Sequence, residues 1–385
     1  MEKKINRYLK GDPIIWGVII VLSIFSLLAV YSATSTLAIH KMGGNSLYYL
    51  VRHGVILAFG IMIIFITHLI HYKYYSRLSQ LLIGIAVVLL IITLFLGTNV
   101  NQATRWLTLP GLGFTIQTSD FAKLALIMYI ARVLSMKQGE IKSFKEAFLP
   151  VIIPVVIICI LILPANLSTA VLIFGISFLL MFIGRISIKH LLASGGVAIL
   201  LLALFITVGT LVKKEGRINT WKNRIESYFE EGGEESYQSQ QAKIAIATGG
   251  LFGKNPGKSV QRNFLPNPYS DFIYAIIVEE YGLIIGGIPI LLAYLFLLFR
   301  AGVIVRKCDR TFPAFLAIGL TLMIVVQAMV NMAVAVGILP VTGQTLPLVS
   351  MGGSSMLFTS VALGIILSIS RNLDKTEPDE EEVAV

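Results

Sequence analysis

The chain reads as a succession of long apolar runs separated by short polar ones. Ten runs stand out, at about 14–38, 47–70, 79–97, 116–135, 148–164, 167–184, 190–211, 271–299, 312–339 and 346–370. Most are long enough, at 1.5 Å per helical residue, to cross a hydrocarbon core of about 30 Å. The fifth and sixth are parted only by "LPANLS", where Pro164 fits a tight turn between antiparallel helices better than a break in one helix. The pattern predicts an all-α polytopic membrane protein with about ten transmembrane helices.

One polar segment, 212–270, is too long to be a simple connection, and a loop of that length is usually functional or disordered. Its "EEGGEE" argues for a mobile tip, and its "AKIAIA" for a short helix lying on the outer surface.

Composition agrees with the pattern. Of 385 residues, 56% are hydrophobic and 14% charged, which excludes an ordinary soluble domain. The apolar run after "MEKKINRYLKGDP" outlasts the ~7–15 residues of a cleavable signal and lacks a small-residue cleavage site, so it reads as a retained first span. Eighteen Lys and Arg fall in the segments that share a side with the N-terminus, against Lys41, Arg52 and Arg105 in the short loops opposite. The positive-inside rule then puts both termini in the cytoplasm and 212–270 outside. The net charge of +10 is thereby a signature of topology, and nucleic-acid binding is not implied. Cys159 lies in an apolar run and Cys308 in a short basic loop, so neither a disulfide framework nor a cysteine metal site is expected, and five scattered histidines offer no zinc spacing.

Four acids lie in or beside apolar runs: Asp120, Asp271, Glu279 and Glu280. A carboxylate at the bilayer centre costs at least ~2.5–3.5 kcal/mol, so it faces a polar cavity, a partner or a substrate. A buried ion pair or a helix cap accounts for each of the four as well as a functional role does. Asp271 follows "LPNPYS" and opens the eighth run, which puts it at the outer mouth, where capping and catalysis explain it equally. Glu279 and Glu280 would lie roughly 12–13 Å deeper on a continuous helix and read as structural. Lys123 stands three residues after Asp120 on the same helix face, open to pairing with it or to an anionic lipid head group. Gln327 and Asn331, four apart, read as interhelical hydrogen-bond partners, and the small residues of "SMGGSS" as a site of close helix packing.

Five stretches carry a resemblance: "NQATRWLTLPGLGFTIQTSDFAKLAL", "KIAIATGGLFGKNPGKS", "LPNPYSDFIYAIIVEEYGLIIGG", "QAMVNMAVAVGILPV" and "TGQTLPLVSMGGSS". In this order, across most of the chain, they resemble the SEDS family, the FtsW and RodA polymerases of bacterial peptidoglycan. The resemblance implies one SEDS-type transmembrane domain over 1–385 that polymerises lipid II, an undecaprenyl-pyrophosphate-linked disaccharide peptide, at the outer face of the cytoplasmic membrane. The active site would face the periplasm or cell exterior. The family's essential aspartate falls on Asp271 and its functional lysine on Lys123. The chain departs from the family at Thr118 and Asp120, where relatives commonly carry Pro and Glu. It departs again at Asn166, where they carry an acid, and at Met351, where Tyr is common.

The chemistry implied suits these residue types. The acceptor hydroxyl must lose a proton, for which Asp271 is the general base, and the leaving pyrophosphate must be neutralised. Lys123, Arg105, and Lys243 or Arg224 are candidates for that, alone or with a divalent cation, Mg or Mn. Trp106, Gln117, Ser119, Ser350, Gly352, Gly353 and Ser354 complete the substrate-binding candidates. One base without a nucleophilic carboxylate implies inversion at the anomeric carbon. The expected partners are lipid II, a class B penicillin-binding transpeptidase and other divisome proteins. The opening "KGDPIIWGVIIVLSIFSLLAVYSATS" looks more like FtsW than RodA, favouring division over elongation. The rival reading is a flippase for the lipid-linked precursor. An acid at the outer mouth favours surface chemistry over transport, and no inverted repeat is visible.

Overall fold

The computed structural model describes residues 11–35, 37, 45–100, 103–108, 115–211 and 237–373. Helix α1 (Pro13–Ala33) starts where it does because Asp12 Oδ1 accepts the Ile14 amide at 2.9 Å while Pro13 takes a first-turn position that needs no donor. The other oxygen of Asp12 accepts Arg300 Nε at 2.7 Å, which pins this end of α1 to a helix far along the chain. Helices α2 (Ser46–Leu69) and α3 (Tyr72–Leu96) follow, and then a small antiparallel sheet of β1 (Thr98–Val100), β2 (Ala103–Thr108) and β3 (Thr115–Gln117). The sheet, which the apolar pattern does not predict, registers Trp106 opposite Gln117 and delivers the chain into α4 (Thr118–Met136).

Helices α5 (Leu149–Ile162) and α6 (Leu167–Ile183) are joined by the expected tight turn, with Asn166 capping α6 by accepting the Thr169 amide at 3.3 Å. Helix α7 (Ile188–Leu211) leads to 212–236, which lie outside the described residues together with the "EEGGEE" tip and Arg224. The chain resumes as α8 (Tyr237–Gly249), α9 (Ile273–Gly282), α10 (Ile288–Lys307), α11 (Thr311–Ala335) and α12 (Gly353–Leu373). Among the described residues, seven helical runs are long and apolar enough to cross a membrane, and two shorter apolar helices accompany them. The protein is a nearly all-α, multi-pass membrane protein.

Two expectations need correction, and a third gains detail. The eighth apolar run is not one straight helix, because it breaks at Gly282, where φ is +76° and a Cβ would run into Leu251 O. The amides of Leu283 and Ile284 start a new helix and find their acceptors outside it, on Gly250 O (3.0 Å) and Leu251 O (3.1 Å). The chain turns back sharply enough that a Cβ on Gly286 would stand 2.9 Å from Ile277 Cγ2, and one on Gly287 3.1 Å from the Tyr274 hydroxyl. The "AKIAIA" helix has two faces: Ala242 and Ala245 are wholly buried where α8 packs against α9, while Tyr237 and Ile244 are exposed. The tenth run is helical only from Gly353, and 336–352 are irregular.

The most extensive helix pairing is α12 along α2. Ser360, Gly364 and Ser368 stand four residues apart on α12, and this small-residue stripe lets the two backbones close. A Cβ on Gly364 would collide with Thr67 Oγ1 and stand 2.8 Å from Ile64 O, a backbone atom that cannot step aside. Gly364→Val is therefore expected to cost about 1–3 kcal/mol by overpacking and to lower the thermal unfolding midpoint in detergent. Gly175→Ala, at a helical glycine with nothing within 4 Å of its added carbon, should leave the midpoint unchanged or raise it. Equal midpoints for the two variants would contradict this packing.

Candidate functional site

Asp271 lies in the turn ahead of α9. Phe272 holds the N-cap position of that helix. Asp271 Oδ1 accepts the Ser270 hydroxyl at 2.7 Å, and a Cβ on Gly343 would stand 3.5 Å from Oδ2. Gly343 therefore adds no side chain next to that oxygen. The neighbouring Tyr269 has its phenol pushed up from its ordinary value by burial first, with Tyr49 and Asp271 adding to it, so it stays protonated at neutral pH.

The surface on which Asp271 rests is the irregular segment 343–351, most of which is buried. Ser350 Oγ donates to Ser270 O at 2.7 Å, and the Met351 amide to Tyr269 O at 2.9 Å. The segment's own carbonyls are held by side chains from three helices. Asn331 of α11 donates to Gln344 O (2.7 Å), Gln327 of α11 to Thr345 O (3.0 Å), Tyr294 of α10 to Pro347 O (2.5 Å) and Ser26 of α1 to Val349 O (2.9 Å). Ser26 spends its proton on Val349, so His53 Nε2, 2.7 Å away, is the donor in that contact. Leu348 is held at φ +64°, a strained conformation that persists only where the surroundings over-determine it.

Lys123 joins the same segment from the other side. Its ammonium lies 2.8 Å from Asp120 Oδ1 and 2.9 Å from Gln327 Oε1, and both charged residues are 5% exposed. Thus the expected Asp120–Lys123 pair forms, and Gln327 connects it to Thr345. Gln117, at the end of β3, donates its amide to Ser354 Oγ (3.1 Å) and its side chain to Ser119 Oγ (3.0 Å), bringing three more sequence candidates to the edge of the segment. Trp106 is half-buried on β2 opposite Gln117, and Arg105 precedes it on that strand. Gly352 and Gly353 lead into α12, and a Cβ on Gly352 would collide with Ser355 Oγ, as close packing requires. Lys243 of α8 crosses over Gly337, where φ is +81°. Among the described residues, no group of three or more His, Cys, Asp or Glu is arranged to hold a metal ion.

The sequence alone did not mark Gln344, Thr345, Thr169 or Gly343 singly, although three of them stand inside "TGQTLP". Gln344 Nε2 donates to Thr169 Oγ1 at 2.9 Å, which draws α6 into the cluster. The signal available was the polar pair Gln327 and Asn331 on one face of an apolar helix, whose partners turn out to be backbone carbonyls of the irregular segment.

The two glutamates have a different task. Glu279 accepts from Lys254 Nζ (3.0 Å), Ser259 Oγ (2.5 Å) and the amides of Val260 (3.1 Å) and Gln261 (3.2 Å). Glu280 accepts from Ser32 Oγ and the Ser259 amide (3.2 Å), with Arg262 at 4.0 Å. Together they fasten 254–262 to the far end of α9 and to the last turn of α1. The expected depth order is reversed by the break at Gly282. Glu280 meets Ser32, whereas the Asp271 turn docks on the segment that reaches Ser26, about 9 Å further back along α1.

Comparison with known proteins decides the family. The FtsW, RodA and SpoVE family model, described as cell cycle protein, matches residues 12–375. The chain belongs to this family. It is 32% identical over 378 residues to a protein of Geobacter metallireducens named probable peptidoglycan glycosyltransferase FtsW, covering 97% of each chain. It is 35% identical over 372 residues to the stage V sporulation protein E of Bacillus subtilis, covering 94% of this chain and 98% of that one. The crystal structure of the Thermus thermophilus rod shape determining protein RodA superposes with a TM-score of 0.67 at 24% identity, covering 95% of this chain and 98% of that one. A chain of a peptidoglycan synthase complex matches equally, with a TM-score of 0.67 at 24% identity over 94% of this chain and 98% of that one. At that identity the two structures establish a shared fold.

The glutamate anchorage yields a prediction. Glu279→Gln removes the charge from four hydrogen bonds of the kind worth about 1.5–3 kcal/mol each to an ionised group. Trypsin should then cleave after Lys254, Lys258 or Arg262 at least about tenfold faster, the equivalent of ~1.4 kcal/mol of local opening. An unchanged cleavage rate would mean that the loop does not hang on this carboxylate.

Proposed function

We propose that the protein polymerises lipid II into glycan strands at the outer face of the cytoplasmic membrane, with Asp271 as general base and inversion at the anomeric carbon. The observation that carries this reading is a carboxylate and an ammonium linked through one buried, non-helical segment at one end of an apolar bundle. Family membership and the FtsW name of relatives 32% identical over nearly the whole chain support the same chemistry.

In our topology α1 to α7 and α10 to α12 are the ten spans, and α8 and α9 form a unit that dips into the outer side. Both termini are then cytoplasmic, and 212–270 is the large extracytoplasmic loop of a single transmembrane domain. The sheet, the 163–166 turn, Asp271 and 336–352 all share the outer end, while the Asp12–Arg300 pair lies at the inner one. A membrane-embedded base facing outward can meet a lipid-borne sugar without drawing its polyprenyl chain into water.

Asp271 takes the proton of the attacking hydroxyl, and the leaving pyrophosphate is met by positive charge. Lys123 is already neutralised by Asp120, so we assign it to the rear of the site, with Arg105 and Lys243 nearer the pyrophosphate and a Mg or Mn ion able to share that load. Trp106, Gln117, Ser119, Ser350, Gly352, Gly353 and Ser354 line the approach. We place the enzyme on the division side of the family, in step with FtsW and sporulation relatives. A class B penicillin-binding transpeptidase is its partner, a reading supported by the fold shared with a synthase complex that coordinates polymerisation and crosslinking.

The test is glycan synthesis from lipid II by purified protein. Asp271→Asn, which keeps the side chain's shape and an oxygen to accept the Ser270 hydroxyl, should lower the rate by at least ~10²-fold with little change in the unfolding midpoint. A near wild-type rate would remove Asp271 from the base role, and transport without polymerisation by the wild type would favour a flippase.

Lys123 yields a second prediction. Lys123→Ala leaves Asp120 buried without its cation and should cost about 3–5 kcal/mol. Lys123→Met combined with Asp120→Asn should recover most of that stability but not polymerisation. Recovery of both would reduce the lysine to the partner of Asp120.

A further inference from the structure

We infer that Asn331 is a positioning residue for the reaction, holding the backbone of Asp271 at a fixed distance from the segment that leads to Lys123. The inference rests on the reading of Asp271 as the base. One amide nitrogen of Asn331, 1% exposed, donates to two carbonyls at once: Asp271 O at 2.8 Å and Gln344 O at 2.7 Å. These belong to different parts of the chain, the turn before α9 and the irregular segment before α12. An amide NH2 is the one uncharged side-chain group that offers two donors from a single atom, so it can staple two carbonyls where a hydroxyl can satisfy only one.

The staple acts on the residue that carries the carboxylate, not on a neighbour. The Asp271 side chain leaves a peptide unit whose oxygen is fixed by Asn331 and whose preceding oxygen, Ser270 O, is fixed by Ser350. With both oxygens held, the direction in which the Cα–Cβ bond leaves the backbone is set, and the Ser270 hydroxyl then sets the carboxylate rotamer. One turn along α11, Gln327 repeats the arrangement, accepting from Lys123 and donating to Thr345 O. Helix α11 is thus a ruler with two marks, one for the base and one for the buried cation, and the marks are i and i+4 on a single rigid element. A general base acts only within hydrogen-bond reach of its proton, so an ångström of slack at Asp271 is paid in turnover, not in substrate binding.

Steady-state polymerisation of lipid II by the full-length protein tests this, with the unfolding midpoint measured alongside. Asn331→Ala, which removes both donors, should lower kcat at least about tenfold and leave KM for lipid II within about threefold. Asn331→Asp keeps the shape and, when protonated, donates to at most one carbonyl; it should fall between Ala and wild type and guards against a simple folding defect in the alanine variant. Combined with Asp271→Glu, whose carboxylate is already displaced, Asn331→Ala should add less than its own factor, because both changes act on one atom's position. A purely structural asparagine would lower the midpoint and the yield of active enzyme, and its factor would multiply through undiminished. Multiplying factors, or a kcat within twofold of wild type in Asn331→Ala, would overturn the positioning role while leaving Asp271 as base. Full activity in Asp271→Asn would overturn the base and the positioning role together.

Discussion

Irregular backbone at membrane depth is tolerated only when its polar groups are satisfied by the protein itself, and the rest of this structure follows from that constraint. The segment 343–351 interrupts the apolar bundle between α11 and α12 with peptide groups that neither a helix nor lipid can serve. Its carbonyls at Gln344, Thr345, Pro347 and Val349 are each met by a side chain, drawn from α1, α10 and α11. Polar residues that look out of place on apolar helices, such as Ser26, Gln327 and Asn331, are there because of this segment. The irregular backbone in turn gives Asp271 a polar floor inside an apolar wall, a setting in which a carboxylate can act as a base next to a lipid.

A second device brings Asp271 to that floor. A straight eighth span antiparallel to α1 would carry residue 271 well beyond the end of that helix. The reversal at Gly282 folds α9 back instead, and the glutamates at its far end secure the fold by gripping 254–262. Asp271 and Glu279 thus serve one purpose through different physics. Glu279 is saturated with donors and immobile, while Asp271 accepts the Ser270 hydroxyl beside a glycine, Gly343, that adds no side chain next to its carboxylate.

Much of this was legible in the sequence. Apolar run length marked the helices, Pro164 marked the α5–α6 turn, and an i, i+3 spacing marked the Asp120–Lys123 pair that the structure contains. The motifs alone point to the family. What escaped was whatever depends on one backbone angle or on pairing across the chain. Hydropathy averages over windows, so it runs straight through Gly282 and joins two helices into one. The β1–β3 sheet lies in a stretch whose strands are three to six residues long, too short for periodicity to register. The apolar face of "AKIAIA" correctly signalled a helix, but nothing local says whether such a face meets lipid or, as here, α9. Gln344 and Thr345 could not be singled out, because their importance lies in carbonyl oxygens that every residue possesses.

The chain reverses at Gly282 and so returns Asp271 to the irregular segment. A disulfide tests this reversal. With Cys159 and Cys308 replaced by Ser, the pair Ile277→Cys and Gly286→Cys places two thiols where the structure has a 2.9 Å approach of a Gly286 Cβ to the Ile277 side chain. In a continuous helix the same residues, nine apart, would be separated by roughly 13–14 Å, beyond the reach of a disulfide. Mild oxidation in the membrane should make both thiols unreactive to maleimide until a reductant is added. Thiols that stay open to alkylation after oxidation would mean that the eighth run is a straight span and that Asp271 is not where this account puts it.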